Sequence, residues 1–344
     1  MKACVLHAPK DLRFEEVPDD ALKPCHVRVH VVAGGICGSD MHYYFHGGFG
    51  TVRVRQPMIL GHEVSGTVAE LGPGVSHVKL GDLVALEPGI ACGACRYCQA
   101  GQRNQCLDMR FFGSAMRFPH VQGAFRQSLV ISERQCHKVA ATVSGAQAAF
   151  AEPLAVALHG MTRAGALLGR KVLVTGSGPI GALTVAAARM GGAAEIVAVD
   201  VASAPLAAAR KMGADHAIDA AADPDWATRF EKDKGSFDVA FEASGNERAL
   251  RSAMTAVRAR GTIVVLGMGG DMNLPMGAAV AKEIELRGSF RFFEEFAWAV
   301  DCISTGRIDV LPILTDTIAA TDADRAFALA SDRSKAMKVH LAFA

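Results

Sequence analysis

The sequence lacks an excess of charge of either sign: 36 Lys and Arg face 35 Asp and Glu, a formal net charge of +1 over 344 residues. That balance removes the electrostatic ground for nucleic acid or an anionic membrane as the main partner. The chain also lacks any apolar run approaching the roughly 18 uninterrupted residues of a membrane span. Its longest candidates are cut by charge, Gly or Pro, as Ala146 to Met161 is by Glu152 and Pro153. The opening stretch, MKACVLHAPKDLRFEEVP, is broken by Lys10, Asp11 and Arg13 before a signal-peptide core can form, so the expectation is a cytoplasmic protein without a secretion signal. There is no internal repeat and no low-complexity linker. A chain that is 50% hydrophobic and long enough for about two domains of ~150 residues is left with a small molecule as its default partner.

Nine cysteines are an odd number, and four of them lie between positions 92 and 106, which argues against a secreted disulfide scaffold. The spacing Cys92-x2-Cys95-x2-Cys98-x7-Cys106 lets four thiolates close one tetrahedron around zinc. Such a site has no free coordination position, so its work is to brace a lobe. Cys4, Cys25, Cys136 and Cys302 fit no motif and read as small buried hydrophobes. A second set is dispersed: Cys37 in GGICGSDMH, His62 and Glu63 in LGHEVSG, and Glu152 in FAEPLAV. One thiol, one imidazole and one or two carboxylates make a mixed metal site that keeps a position open for substrate or water, and other divalent ions compete with zinc for such ligands.

Two textures run along the chain. Up to about residue 143, short alternating runs such as Val27, Val29 and Val31 between His26, Arg28 and His30 predict strands with one wet face, with similar runs at Val64 to Leu71, Leu83 to Leu86 and Phe125 to Ile131. From 144 to 286, apolar runs alternate with Ala-rich helical segments, which predicts a parallel sheet of βαβ units. The expected strands are Lys171 to Thr175, Glu195 to Asp200, His216 to Asp219, Phe237 to Glu242, Thr262 to Leu266 and Ile284 to Leu286. The stretch from 287 is expected to rejoin the first domain and end in a strand at Lys338 to Phe343.

Gly176-Ser177-Gly178-Pro179-Ile180-Gly181 follows the run KVLVT and opens the helical stretch IGALTVAAARMG. In that context the glycines supply a tight turn, a close approach to a pyrophosphate and close helix packing, and the helix start attracts phosphate. Asp200 ends the next strand about 20 residues on, where a carboxylate accepts from ribose hydroxyls and repels a 2′-phosphate. NAD is therefore expected ahead of NADP, the more so because no Lys or Arg occurs from 201 to 209.

Taken together, GGICGSDMHYY, ILGHEVSGTV, the Cys92 to Cys106 segment, FAEPLAVALHG, VTGSGPIG and FEASG resemble, in order and over nearly the whole chain, the zinc-containing medium-chain dehydrogenase/reductase superfamily. The Glu in AEPL is similar to its sorbitol (polyol) dehydrogenase branch, and DMRFFGSAMRFPHVQGAF with LRGSFRF look most like the members that oxidise the sugar acid L-idonate. The resemblance implies an α/β chain: a GroES-like β-rich catalytic domain from 1–143 and 287–344, and a doubly wound parallel-sheet Rossmann domain from 144–286. It implies one catalytic zinc on Cys37, His62 and Glu152, with Glu63 exchangeable or close by, one structural zinc on the four cysteines, and Asp40 holding the far nitrogen of His62. Ser39 and His42 would carry the alcohol proton outward, although HYYFH also offers His46. Cofactor contacts would include Gly176, Gly178, Pro179, Ile180, Gly181, Asp200, Leu266, Phe290 and Arg291. The substrate, a sugar acid or a neutral polyol such as sorbitol, L-iditol or xylitol, would meet Tyr43, Arg291 and Phe292, with Arg110 and Arg117 as further candidates to clamp a carboxylate. The three arginines stay open at this stage, as does the choice of core or pocket wall for Phe111, Phe112, Phe118 and Phe292. A homotetramer or dimer is the expected assembly.

Overall fold

The computed structural model describes residues 1–343. Six strands form one parallel sheet in the order His216–Asp219, Glu195–Asp200, Lys171–Thr175, Phe237–Glu242, Val257–Val265, Glu285–Gly288. The chain starts at the centre, winds to one edge, returns and winds to the other. The order therefore reverses between Lys171–Thr175 and Phe237–Glu242, where a crevice opens at the carboxyl ends of the strands. Alternate side chains of one strand feed two separate cores: Val172 and Val174 pack on one face and Leu173 on the other, as Ile196 and Ala198 oppose Val197 and Val199. That two-sided burial is why these strands read as continuous apolar runs.

In the first unit the run Phe125 to Ile131 forms its strand only at Ser128–Ser132, and the strands expected at Val64 to Leu71 and Lys338 to Phe343 each shift by one residue at one end; in the parallel sheet two strands depart from their expected bounds. The fifth strand begins at Val257 rather than Thr262, because its first part, Arg258-Ala259-Arg260-Gly261, is polar and bends through a left-handed Arg260 (φ 59°). The sixth is Glu285–Gly288, which begins one residue and ends two residues later than its apolar letters suggest.

The first unit is built around the strand His26–Gly35. It pairs with Glu63–Leu71 on one side and with Lys338–Ala342 and Ser128–Ser132 on the other, and Leu83–Leu86, Cys136–Lys138 and Leu314–Ala319 extend the sheet. Val27, Val29 and Val31 face its core. The last strand runs antiparallel to the first unit's central one, with Leu341 opposite Gly34. Residues between Phe292 and Ile313 pack with the helices Ala151–Ala164 and Pro179–Met190, and only from Leu314 does the chain enter the first sheet. Of the cysteines outside motifs, Cys4, Cys136 and Cys302 are buried, but Cys25 is exposed in a left-handed turn (φ 56°), so it is a turn residue and not a small core hydrophobe. Among the described residues no helix is long and apolar enough to cross a membrane.

Candidate functional site

The turn after Lys171–Thr175 behaves as its glycines predict. Gly176 adopts φ 82°, and a Cβ there would lie 2.6 Å from Ser244 N. One on Gly181 would meet Gly176 O at 1.8 Å, whereas one on Gly178 would meet nothing within 4 Å. The open ground over Gly178, at the start of a helix with Pro179 in its first turn and no side-chain cap, is what a pyrophosphate needs. Asp200 accepts from Ser177 N at 2.7 Å and from Val201 N at 2.8 Å, so its carboxylate is fixed against the same turn. Beneath the crevice, fully buried Glu242 accepts from the backbone of Ser244 and Gly245 and braces the turn against which Gly176 packs. Leu266 and Phe290 line a cleft of 620 Å³ together with Asn104, His159 and Trp298.

The four-cysteine lobe closes as predicted. Cys95 and Cys98 Sγ are 3.6 Å apart and Cys92 and Cys98 Sγ are 3.9 Å apart. Thiolates bound at about 2.3 Å to one ion stand about 3.8 Å apart at the corners of a tetrahedron. Backbone N–H groups of Cys95 and Asp108 point at the sulfurs of Cys92 and Cys106 at 3.3 Å. The N–H groups of Leu107 and Cys98 draw the Cys95 thiol down to about 6, which favours the thiolate.

The second set converges from three elements. Cys37 leaves the end of His26–Gly35 and caps the helix Gly38–His46, His62 and Glu63 open the strand Glu63–Leu71, and Glu152 sits in the first turn of Ala151–Ala164. Ligand atoms of Cys37, His62 and Glu63 lie within 4.8 Å of one another. Glu152 stands outside that set but senses His62, Glu63 and Cys37 through their charge. Burial, helped by Glu63, pushes the Cys37 thiol up to about 12, and burial pushes Glu152 up to about 8. So many acids gathered away from water suit a divalent cation, and the donor set fits zinc. Asp40, fully buried, anchors both arms: its carboxylate accepts from Cys37 N at 3.0 Å and Gly61 N at 3.2 Å, and stands 3.7 Å from His62 Nδ1.

Sequence reasoning missed the other side of this site. Lys338 Nζ donates to both Glu63 oxygens, at 2.8 and 2.6 Å, and to Ile36 O. His340, Gly35 and Glu63 stand in one row across three adjacent strands. A Cβ on Gly35 would lie 2.2 Å from Glu63 Oε2 and 3.2 Å from His340 Nε2, so the glycine makes room for both side chains. The pairing spans 275 residues of chain, and no local pattern announces it.

The substrate candidates separate. Arg291, half-buried in a left-handed conformation (φ 56°), lies over Phe111 at 4.5 Å and Phe290 at 4.9 Å. Burial lowers its pKa, opposed by the charges of Glu152 and Tyr43, which places it beside the metal ligands. Phe111 in turn packs on His62 at 5.5 Å. Tyr43 is buried, its hydroxyl accepting from Ala115 N at 3.1 Å. Arg117 is turned to the four-cysteine lobe, donating to Leu107 O and Met109 O and pairing with Asp108. Arg110 is exposed on the strand Arg110–Phe111, and because neighbouring strand residues point to opposite faces, it projects away from the side on which Phe111 meets His62. Phe292 is buried against Phe296 in the core, Phe112 is buried in the first unit, and Phe118 is exposed beneath Arg55. Ser39, His42 and His46 fall at helical spacing on one face of Gly38–His46, with the two exposed imidazole rings 6.1 Å apart.

Comparison with known proteins identifies the family. The family described as "Alcohol dehydrogenase GroES-like domain" matches residues 23–141, and "Zinc-binding dehydrogenase" matches residues 179–305. The chain is 44% identical to L-idonate 5-dehydrogenase (NAD(P)(+)) of Escherichia coli (strain K12), covering 92% of this chain and 91% of that protein. It is 36% identical to sorbitol dehydrogenase of Rattus norvegicus, covering 94% and 90%. The crystal structure of L-idonate 5-dehydrogenase from Escherichia coli str. K-12 substr. MG1655 superposes with a TM-score of 0.95 at 42% identity, over 99% of this chain and 98% of that one. The chain belongs to the zinc-containing medium-chain dehydrogenase/reductase superfamily, as an NAD(P)-dependent dehydrogenase acting on the CH–OH groups of polyols or sugars.

Proposed function

We propose that the protein oxidises the C5 hydroxyl of L-idonate to 5-keto-D-gluconate, with NAD preferred over NADP. The observation that carries the substrate is the Arg291 guanidinium, whose one side-chain hydrogen bond among the described residues is to Met116 Sδ. That leaves its planar fork free to take a carboxylate in two parallel hydrogen bonds, while Arg117 is committed to the lobe. The match to an L-idonate dehydrogenase supports the same reading.

In this reading Cys37, His62 and Glu152 hold the catalytic zinc, Lys338 keeps Glu63 in reserve beside it, and the four cysteines hold a structural zinc. When bound, zinc lowers the pKa of the substrate hydroxyl and the nicotinamide accepts the hydride. Ser39 Oγ accepts the hydroxyl proton as it gives up its own toward His42, one turn along the helix, whose ring passes it to solvent. Burial, with His46 and Arg333 in the same sense, draws the His42 pKa below its ordinary value, so the ring is a neutral acceptor near pH 7. Arg291 orients the far end of the substrate, and proximity supplies much of the rate. The reading also makes the protein a cytoplasmic homo-oligomer, a tetramer or dimer.

The test is NADH formation by zinc-loaded protein with L-idonate, sorbitol, L-iditol and xylitol, each with NAD and NADP. L-Idonate with NAD is expected to give the largest kcat/KM, and Arg291→Ala to raise the L-idonate KM selectively. A preference for a neutral polyol would overturn the substrate and leave the dehydrogenase chemistry standing. Asp200→Ala, which removes the charge that repels a 2′-phosphate, is expected to lower the NAD-over-NADP preference in kcat/KM by about tenfold or more. An unchanged ratio would mean that Asp200 does not discriminate.

A further inference from the structure

Gly101, Gln102, Asn104 and Gln105 of the four-cysteine lobe line the cleft beside Phe290, and the Asn104 side chain hydrogen-bonds across it. Asn104 lies in the short turn Arg103–Gln105, between Cys98 and Cys106. Its Nδ2 donates to Phe290 O at 3.0 Å and stands 3.4 Å from His159 Nε2. His159 Nδ1 in turn lies 3.0 Å from Glu295 Oε1, and Glu295 Oε2 accepts from Phe293 N at 3.0 Å. The hydrogen bonds are all made when Nδ1–H donates to the carboxylate, Nε2 accepts one amide hydrogen of Asn104, and the other goes to Phe290 O. Burial alone would raise Glu295, but the His159 hydrogen bond and the Phe293 N–H outweigh it and hold its carboxyl at about 2, so the acceptor stays ionised. Arg103 adds its guanidinium over the Phe293 ring at 4.7 Å.

These contacts bracket Arg291. The carbonyl of Phe290 before it and the N–H of Phe293 after it are both held, and Arg291 between them adopts φ 56°, a conformation that costs a non-glycine residue energy unless its surroundings impose it. The lobe reaches Arg291 from a second side as well, since Arg117 ties Leu107 and Met109 to the segment whose Met116 Sδ is 3.2 Å from the Arg291 guanidinium.

We propose that Asn104 is a positioning residue: through Phe290 O and the His159–Glu295 pair it makes the four-cysteine lobe the clamp that fixes Arg291 over Phe111, beside His62, and so sets affinity for the acid substrate. The part concerning substrate rests on the reading of Arg291 given above. The lobe then acts on specificity, in addition to bracing the fold.

Two measurements on the zinc-loaded enzyme test this, with Asn104→Ala and the isosteric Asn104→Asp, which keeps the shape and removes the donor. In hydrogen exchange followed by mass spectrometry, residues 288–296 are expected to exchange faster in Asn104→Asp while the cysteine segment keeps its protection and its zinc. In kinetics, each variant is expected to raise the L-idonate KM by roughly tenfold, the worth of one buried hydrogen bond, with kcat nearly unchanged. Neither is expected to raise it further in an Arg291→Ala background. Unchanged exchange in 288–296, or a KM increase of the same size with and without Arg291, would overturn the proposal, because a general loss of structure adds in both backgrounds. If Arg291→Ala fails to raise the L-idonate KM selectively, the substrate reading falls, and with it the claim on affinity; the exchange measurement then decides alone whether Asn104 holds the segment.

Discussion

Lys338→Met is expected to destabilise the protein by about 3–5 kcal/mol, the cost of breaking a buried ion pair from one side. Lys338 and Glu63 are 3% and 1% exposed, so the carboxylate left behind could not reach water. Burial alone would lower the Lys338 pKa, but Glu63 and Cys37 outweigh it and hold the ammonium above its ordinary value. Removing the cation leaves Cys37, Glu63 and Glu152 crowded without it. Urea unfolding checks the size of the loss, and Lys338→Met combined with Glu63→Gln is expected to recover most of it, since the uncompensated charge is then gone. A single variant as stable as the parent would show that Glu63 has another partner.

Cys37→Ser is expected to lower kcat/KM by about a thousandfold or more, because Lewis-acid assistance is worth several kcal/mol, while the fold stays intact. Metal analysis is expected to fall from two zinc ions per chain to one. Cys98→Ser is the contrasting variant: it loses the other ion, and its deficit is expected first in thermal stability, because a closed thiolate site contributes folding energy and offers no open position to substrate. Equal zinc content in the Cys37 variant and the parent would remove Cys37 from the ligand set.

Where chemistry and backbone geometry are local, the sequence was read almost to the residue. The first four strands of the parallel sheet have the expected bounds: Lys171–Thr175, Glu195–Asp200 and Phe237–Glu242 because burial on both faces demands apolar runs, and the half-exposed edge strand His216–Asp219 by its pairing with Glu195–Asp200. The glycine turn and the four-cysteine spacing were legible for a similar reason: each is a short segment whose residue types are dictated by φ or by a metal's geometry. The fifth strand extends beyond its apolar run because a polar stretch can still hydrogen-bond into a ladder. The arginines were indistinguishable in sequence, since Arg110, Arg117 and Arg291 differ only in what surrounds them. Strand alternation turns the first away, lobe carbonyls take the second, and two aromatic rings frame the third.

The sequence by itself determined the fold class, the four-cysteine cluster and the nucleotide turn, since each rests on a periodicity or spacing within a short stretch, whereas the dispersed set Cys37, His62, Glu63 and Glu152 is assigned through the family resemblance. Only the tertiary structure decided that Lys338 holds Glu63, that His340 and Glu63 share the space over Gly35, and that Asn104 reaches Phe290. Those pairings join positions 186 to 305 residues apart by sheet register and lobe docking, and such contacts are fixed by the burial of whole faces, which no local run of residues encodes.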